Sequence, residues 1–206
     1  MSAIMQTTQA NTFRWECTAD NARMVIQAFF ALEVKNRGKQ LVLTDRLKGI
    51  ISRIADHMTN PKKQGIILMG GVGSGKSTMM AALQKAHNYL YPQYNDIGII
   101  IRDAGQIVRE YQENKPTIDY CGVANMLAID DLGKEPTEIL RYGTHIQPLV
   151  EIFEQRYNLM LPMLITTNLE RKQVAEKYGR RIADRFNEMF EVIVFNEESY
   201  RKRCDL

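Results

Sequence analysis

An α/β fold with a parallel sheet covered on both faces is predicted for this 206-residue chain by two features. From residue 65 onward, short and continuously apolar segments alternate with longer helical ones, the pattern of strands buried on both sides by crossover helices. Between the first apolar segment and the helix after it lies GGVGSGKST (70–78), a glycine-rich turn of the type that cradles phosphate.

The elements follow in order. Asp20 to Val34 reads as a helix capped by Asp20 or Asn21, with AFFALEV as its buried part. After the polar NRGKQ comes a clear amphipathic helix, with Leu43, Leu47, Ile50, Ile51, Ile54 and Met58 on one face. Thr44 caps it and Asn60-Pro61 stops it. GIILMG (65–70) is the first strand, and KSTMMAALQKAHNYL (76–90) the helix that Pro92 ends. IGIIIR (97–102) is the second strand, followed by a helix over Ala104–Gln112. NMLAID (125–130) is the third, IQPLVEIFEQRYN (146–158) mostly helix, and PMLITTN (162–168) the fourth strand. ERKQVAEKY (170–178) is helical, and the arginine-rich GRRIADRF (179–186) leads to a fifth strand, EVIVFN (191–196). Ile182 and Phe186, four apart, anchor that arginine-rich segment to a core.

Composition narrows the function classes. Hydrophobic residues make up 45% and charged residues 25%, ordinary for a soluble protein. No apolar run reaches the roughly 20 residues needed to span a bilayer, and the first residues lack the basic start and apolar core of a secretory signal. A cytoplasmic location with no membrane partner is expected. Cys17, Cys121 and Cys204 are far apart and form no C-x-x-C pair, and the three histidines are scattered. Neither a disulfide framework nor a zinc site is expected. Net charge is only +3, but residues 1–64 hold ten Lys/Arg against five Asp/Glu, a hint of an acidic partner such as nucleic acid.

Gly70, Gly75, Lys76 and Ser77 fit G-x-x-x-x-G-K-[ST]. The glycines let Gly71, Val72, Gly73 and Ser74 turn tightly, so that backbone N–H groups point inward at a β-phosphate. The helix that follows, through Thr78, adds its positive N-terminal end. Lys76 is placed for the β- and γ-phosphates, and the Ser77 hydroxyl for Mg²⁺. In NMLAIDDLG, Asp130 at the end of a strand suits Mg²⁺ and its waters, and Asp131 suits orienting or activating the attacking water. Asn168, just past the ITT strand, can bond that water or the γ-phosphate, or cap the next helix. The arginines of GRRIADRF, among them Arg181 and Arg185, are open to three readings: a solvated helix face, a nucleic-acid patch, or a guanidinium for charge developing on the γ-phosphate.

Together GGVGSGKST, LAIDDLG, RYNLMLPMLITTNL, YGRRIADRF and VIVFNEESYR resemble the AAA+ ATPases of the DnaC/IstB group, from about residue 43 to the end. That resemblance implies a P-loop three-layer α/β/α sandwich with a five-stranded parallel sheet. It divides the chain into a short helical extension, 1–42, open to partner binding, and an ATPase domain, 43–206. It assigns Lys76 and Ser77 to Walker A, Asp130 and Asp131 to Walker B, Asn168 to sensor I and Arg185 to a finger donated in trans. Arg201 matches sensor II. ATP and Mg²⁺ are the implied cofactors. A replicative DNA helicase, single-stranded DNA and further copies of the chain are the implied partners.

Some positions depart from the pattern. Many such proteins carry Glu where this chain has Asp131, one methylene shorter, which implies slow hydrolysis. Only eleven residues follow Phe195, so no C-terminal helical lid is expected. Besides a helicase loader, the alternatives are a transposase-partner ATPase, a small-molecule P-loop kinase, and a nucleotide-gated DNA-binding protein with negligible turnover. For DNA contact the candidates are Lys134, Arg141 and the loop to Thr144, or Lys35, Arg37 and Lys39.

Overall fold

A computed structural model describes residues 13–94, 98–113, 115–116, 120–122 and 124–195. The first dozen residues, the strand ends Ile97 and Asn196, the sensor candidate Arg201, and Cys204 lie outside them.

Helix α1 (Ala19–Asn36) starts at Thr18, whose hydroxyl accepts from the Asn21 N–H. The cap is therefore two residues earlier than Asp20, because the Thr18 backbone is extended and its side chain reaches the orphan amide. Helix α2 (Asp45–Thr59) is capped by Thr44 as expected. Strand β1 (Gly65–Gly70) and helix α3 (Lys76–Leu90) follow. Next come β2 (Ile99–Asp103), α4 (Ala104–Gln112) and β3 (Met126–Leu132). Two three-residue strands, β4 (Ile139–Arg141) and β5 (Thr144–Ile146), pair as an antiparallel hairpin. The chain then runs through α5 (Pro148–Asn158), β6 (Met163–Thr167), α6 (Arg171–Tyr178), α7 (Arg180–Met189) and β7 (Phe190–Phe195).

The main sheet has five strands in the order β2-β3-β6-β1-β7, and every pair is parallel. Side chains alternate between its two faces, as a pleat requires. Ile66, Leu68, Ala128, Leu164 and Ile193 join α1, α2 and α3 in one core. Ile67, Leu127, Ile129, Met163 and Ile165 join α4 to α7 in the other. This is the expected three-layer sandwich.

Two arrangements matter for the site. Strand β6 lies between β1 and β3, so whatever follows β6 falls between the glycine-rich loop and the tandem aspartates. Helix α1 contributes Ala22, Ile26, Phe30 and Val34 to the same core as α2 and α3, with Trp15 buried beside them. At roughly 1.5–3 kcal/mol for each large apolar side chain, this burial fixes α1 on the body of the molecule. Among the described residues no helix is long and apolar enough to cross a membrane.

Candidate nucleotide-binding site

The glycine-rich turn is bent by residues that only glycine serves well. Gly73 and Gly75 have φ of 82° and 101°, a region that costs other residues strain. A Cβ on Gly70 would lie 2.3 Å from the Phe195 carbonyl oxygen, so β7 seals the end of β1 only because residue 70 has no side chain. Gly75 precedes α3 directly, which aims that helix's first N–H groups into the turn.

Lys76 folds back over the turn. Its ammonium donates to Gly70 O, Gly71 O and Asn168 Oδ1, each at 2.8 Å. These use all three of its donors, and the residue is 5% exposed. Burial lowers the Lys76 pKa; Asp131 and Asp130 oppose that shift, while Lys134 adds to it. The ammonium thus sits on loop carbonyls, neutral acceptors from which an incoming anionic phosphate would draw it. Asn168 spends its side-chain oxygen on Lys76, and α6 is capped instead by a reciprocal Glu170–Gln173 box. Of the two roles open to Asn168, the helix cap is therefore filled by Glu170.

Ser77 Oγ donates to Asp130 Oδ1 at 2.8 Å, and the Thr166 hydroxyl also donates to that oxygen. Strand β3 runs on through both aspartates instead of ending at Asp130. It does so by a bulge, for the β3–β6 register shifts between Ile129 and Leu132. Asp131 is the displaced residue, with φ 57°, a conformation that costs a non-glycine residue about 1–2 kcal/mol. Its N–H donates to Thr166 Oγ1 at 2.9 Å, and its carboxylate pairs with Lys134. Strain of this type collects where chemistry needs a side chain aimed off the sheet. Thr166 and Thr167, whose hydroxyls brace the bulge through Asp130 and the Leu132 carbonyl, were not singled out as site residues. Only the period-two pleat beside the aspartates could have marked them.

A cavity of about 310 Å³ opens over the turn, lined by Val72, Gly73, Gly75, Lys76, Ser77, Thr78, Asp131, Lys134 and Asn168. Its far wall is the end of α1: Phe30, Val34, Arg37 and Lys39. Lys134, Arg37 and Lys39, read from sequence as possible DNA contacts, thus line this cavity. Arg141 instead lies on the hairpin, with its guanidinium 4.5 Å from the Tyr111 ring centroid and 5.6 Å from that of Tyr142.

The two arginine candidates sit on α7 and share one carboxylate. Glu154 Oε1 is 3.4 Å from Arg181 Nε and 3.3 Å from Arg185 Nη1. Arg185 is tucked against α5, its guanidinium 4.4 Å over the Tyr157 ring and its side chain only 13% exposed. Arg181 is 72% exposed. Neither lines the cavity within its own chain.

The donor set fits Mg²⁺. Ser77 Oγ and Asp130 Oδ1 are adjacent hard oxygens beside the phosphate turn, and Mg²⁺ bound with phosphates takes only one or two protein oxygens. Among the described residues no group of three His, Cys, Asp or Glu is arranged for a metal ion, and such a site does not require one.

No protein-family model and no curated protein matches the sequence. Solved structures do match in fold. A DnaI crystal structure aligns with a TM-score of 0.60 and 20% identity, covering 82% of this chain and 94% of that one. The DnaC helicase loader aligns with a TM-score of 0.55 and 24% identity, over 76% and 93% of the two chains. AMPPCP-bound DnaA from Aquifex aeolicus aligns with a TM-score of 0.56 and 17% identity, over 78% of this chain and 50% of that one. At these identities the likeness is one of backbone architecture, and this chain shares the α/β fold of the DnaI, DnaC and DnaA structures.

Proposed function

We propose that this chain binds and slowly hydrolyses ATP, and that it acts as an ATP-switched loader or remodeller of a replicative DNA helicase on single-stranded DNA. The observation that carries the ATP reading is the convergence of Lys76, Ser77, Asp130, Asp131 and Asn168, from three neighbouring strand ends, on one phosphate turn. In this reading the backbone of Gly71 to Gly75 and the start of α3 hold the β-phosphate. Lys76 leaves the Gly70 and Gly71 carbonyls for the β- and γ-oxygens. Ser77 and Asp130 would hold Mg²⁺, which when bound supplies charge neutralisation between those phosphates. Asp131 accepts a proton from the attacking water, and Asn168 orients that water or the γ-phosphate. The base lies against Phe30 and Val34, with Arg37 and Lys39 beside the sugar and α-phosphate.

Support for the partners is of a different type. The similar folds include a DnaC helicase loader and a replication initiator DnaA bound to AMPPCP and single-stranded DNA. The segment to residue 42 is our choice for the helicase contact: Met24 and Leu32 are 64% and 44% exposed on the outer side of α1, one end of which touches the nucleotide cavity. Arg185 or Arg181 of a neighbouring copy completes the site, which makes turnover depend on assembly. Lys76→Ala is expected to abolish ATP binding and to lower turnover by ~100-fold or more. Normal binding and turnover by that variant would sink the phosphate-site reading.

A further inference from the structure

The loop that leaves Asp131 is tied down from beneath by charged groups that face away from the cavity. Glu135, four residues on, has a fully buried side chain. It accepts from the Gly133 N–H at 2.8 Å and from the Tyr178 hydroxyl. Lys177 donates to the carbonyls of Gly133, at 3.0 Å, and Glu135, and its ammonium lies 3.6 Å from Glu135 Oε1. Every residue from Asp131 to Glu135 but Leu132 is thereby fastened, for Lys134 bonds Asp131 at the cavity wall. Leu132 itself is packed in the core with its carbonyl held by Thr167.

A surface turn does not need this. Burying a carboxylate and an ammonium costs desolvation of both, and a turn already held by glycine at φ 107° folds without them. The helix that supplies both partners tells more. Lys177 and Tyr178 end α6, which begins three residues after Asn168. Val174 and Tyr178 pack that helix into the core against Phe153. Burial and the neighbouring Glu135 raise the Tyr178 pKa, so the phenol stays a hydrogen-bond donor across the working pH range. Asn168 therefore lies just ahead of this short helix, and the Asp131 loop is bonded to its last two residues.

We propose that Glu135, Lys177 and Tyr178 are positioning residues that lock the Asp131 turn and Asn168 into one body, so that the water-activating carboxylate and the γ-phosphate contact keep a fixed separation. This rests on the reading that the chain hydrolyses ATP. None of the three side chains lines the cavity, so their loss should spare binding and damage chemistry.

The test compares the parent chain with Lys177→Met, which keeps the stem but loses the ammonium, and Tyr178→Phe, which loses a single hydroxyl and keeps the ring. For Lys177→Met, turnover per bound ATP is expected to fall at least ~10-fold, the size typical of losing a support behind an active group. Its ATP Kd and KM should stay within about 2-fold of the parent, the signature of an interaction felt only in the transition state. Hydrogen exchange, read without nucleotide, should quicken about 10-fold or more at the amides of residues 131–135 while β1 and α3 keep parental protection. Tyr178→Phe should shift both readouts in the same direction by about 3-fold. Parental turnover per bound ATP, or parental exchange at 131–135, in both variants overturns the proposal. So does a loss of binding and turnover in step with a global fall in protection, which marks a merely structural cluster. If the parent itself binds ATP without turnover, the hydrolysis reading fails first and the positioning role falls with it.

Discussion

Asp131 shows how one residue can be half legible. The tandem acids after an apolar strand announced a carboxylate at a strand end, but nothing in NMLAIDDLG announced that the second would sit at φ 57° within a bulge. That conformation depends on Thr166 and on Lys134, contacts set by a strand 35 residues away and by a turn. Asn tolerates the left-handed region better than most residues, so Asp131→Asn isolates the charge from the backbone. It is expected to leave ATP binding and melting temperature near parental values and to lower turnover by ~100-fold. Parental turnover would remove Asp131 from the chemistry. Asn168 is the converse case: of the two roles open from sequence, the cap falls to the Glu170–Gln173 box, and the Asn168 side chain bonds Lys76.

Helices and long strands were read nearly to the residue, because β1, α3 and α4 carry strong periodicity and clear stop signals. The β4–β5 hairpin was missed. Three-residue strands have no period to detect, and Ile139 alone is buried in the hairpin while Leu140 and Tyr142 are exposed. The burial of α1 is only partly legible: AFFALEV reads as the buried part, yet Ala28 and Leu32 are exposed, and the buried stripe is Ala22, Ile26, Phe30, Glu33 and Val34 at helical spacing. The packing of the segment before α1 against the end of α3 carries a cost that can be measured. His87 is buried among Phe13, Tyr91 and Trp15 at centroid distances of 4.9, 5.2 and 6.4 Å, and neither ring nitrogen has a partner. Burial lowers its pKa from 6.5 to about 4. Between those values the unfolded chain binds the proton and the folded one does not, so stability is complete above pH 6.5 and falls toward pH 4. The shift corresponds to ~3 kcal/mol. Denaturant midpoints at pH 5 and pH 8 should therefore converge in His87→Phe; an unchanged difference would show that another group titrates.

For the molecule as a whole, sheet order does most of the work. Inserting β6 between β1 and β3 brings Lys76, Asn168 and Asp130 together from positions up to 92 residues apart. The sequence spacing alone could not give that order. The same layout leaves Arg181 and Arg185 of α7 outside the cavity of their own chain, as a trans-acting role requires. Arg181 is the more reachable, while Arg185 must first leave Tyr157 and Glu154. Alanine at either position is expected to preserve ATP binding. If the finger acts in trans, turnover should drop by up to about 10³-fold at the position that serves, and the parent's specific activity should rise with protein concentration. Concentration-independent turnover, unaffected by both substitutions, would make each chain a complete enzyme.

The proposed function places the phosphates of ATP in the turn that Lys76 now spans, and a crystal structure of the chain with AMPPCP and Mg²⁺ would show it. The expected result is the β- and γ-phosphates on the Gly71–Gly75 backbone, the Lys76 ammonium moved from the Gly70 and Gly71 carbonyls onto phosphate oxygen, and Mg²⁺ held by Ser77 and Asp130. A nucleotide bound elsewhere, such as the cleft of Arg53, His57 and Lys63, with Lys76 still on its own loop, would contradict it.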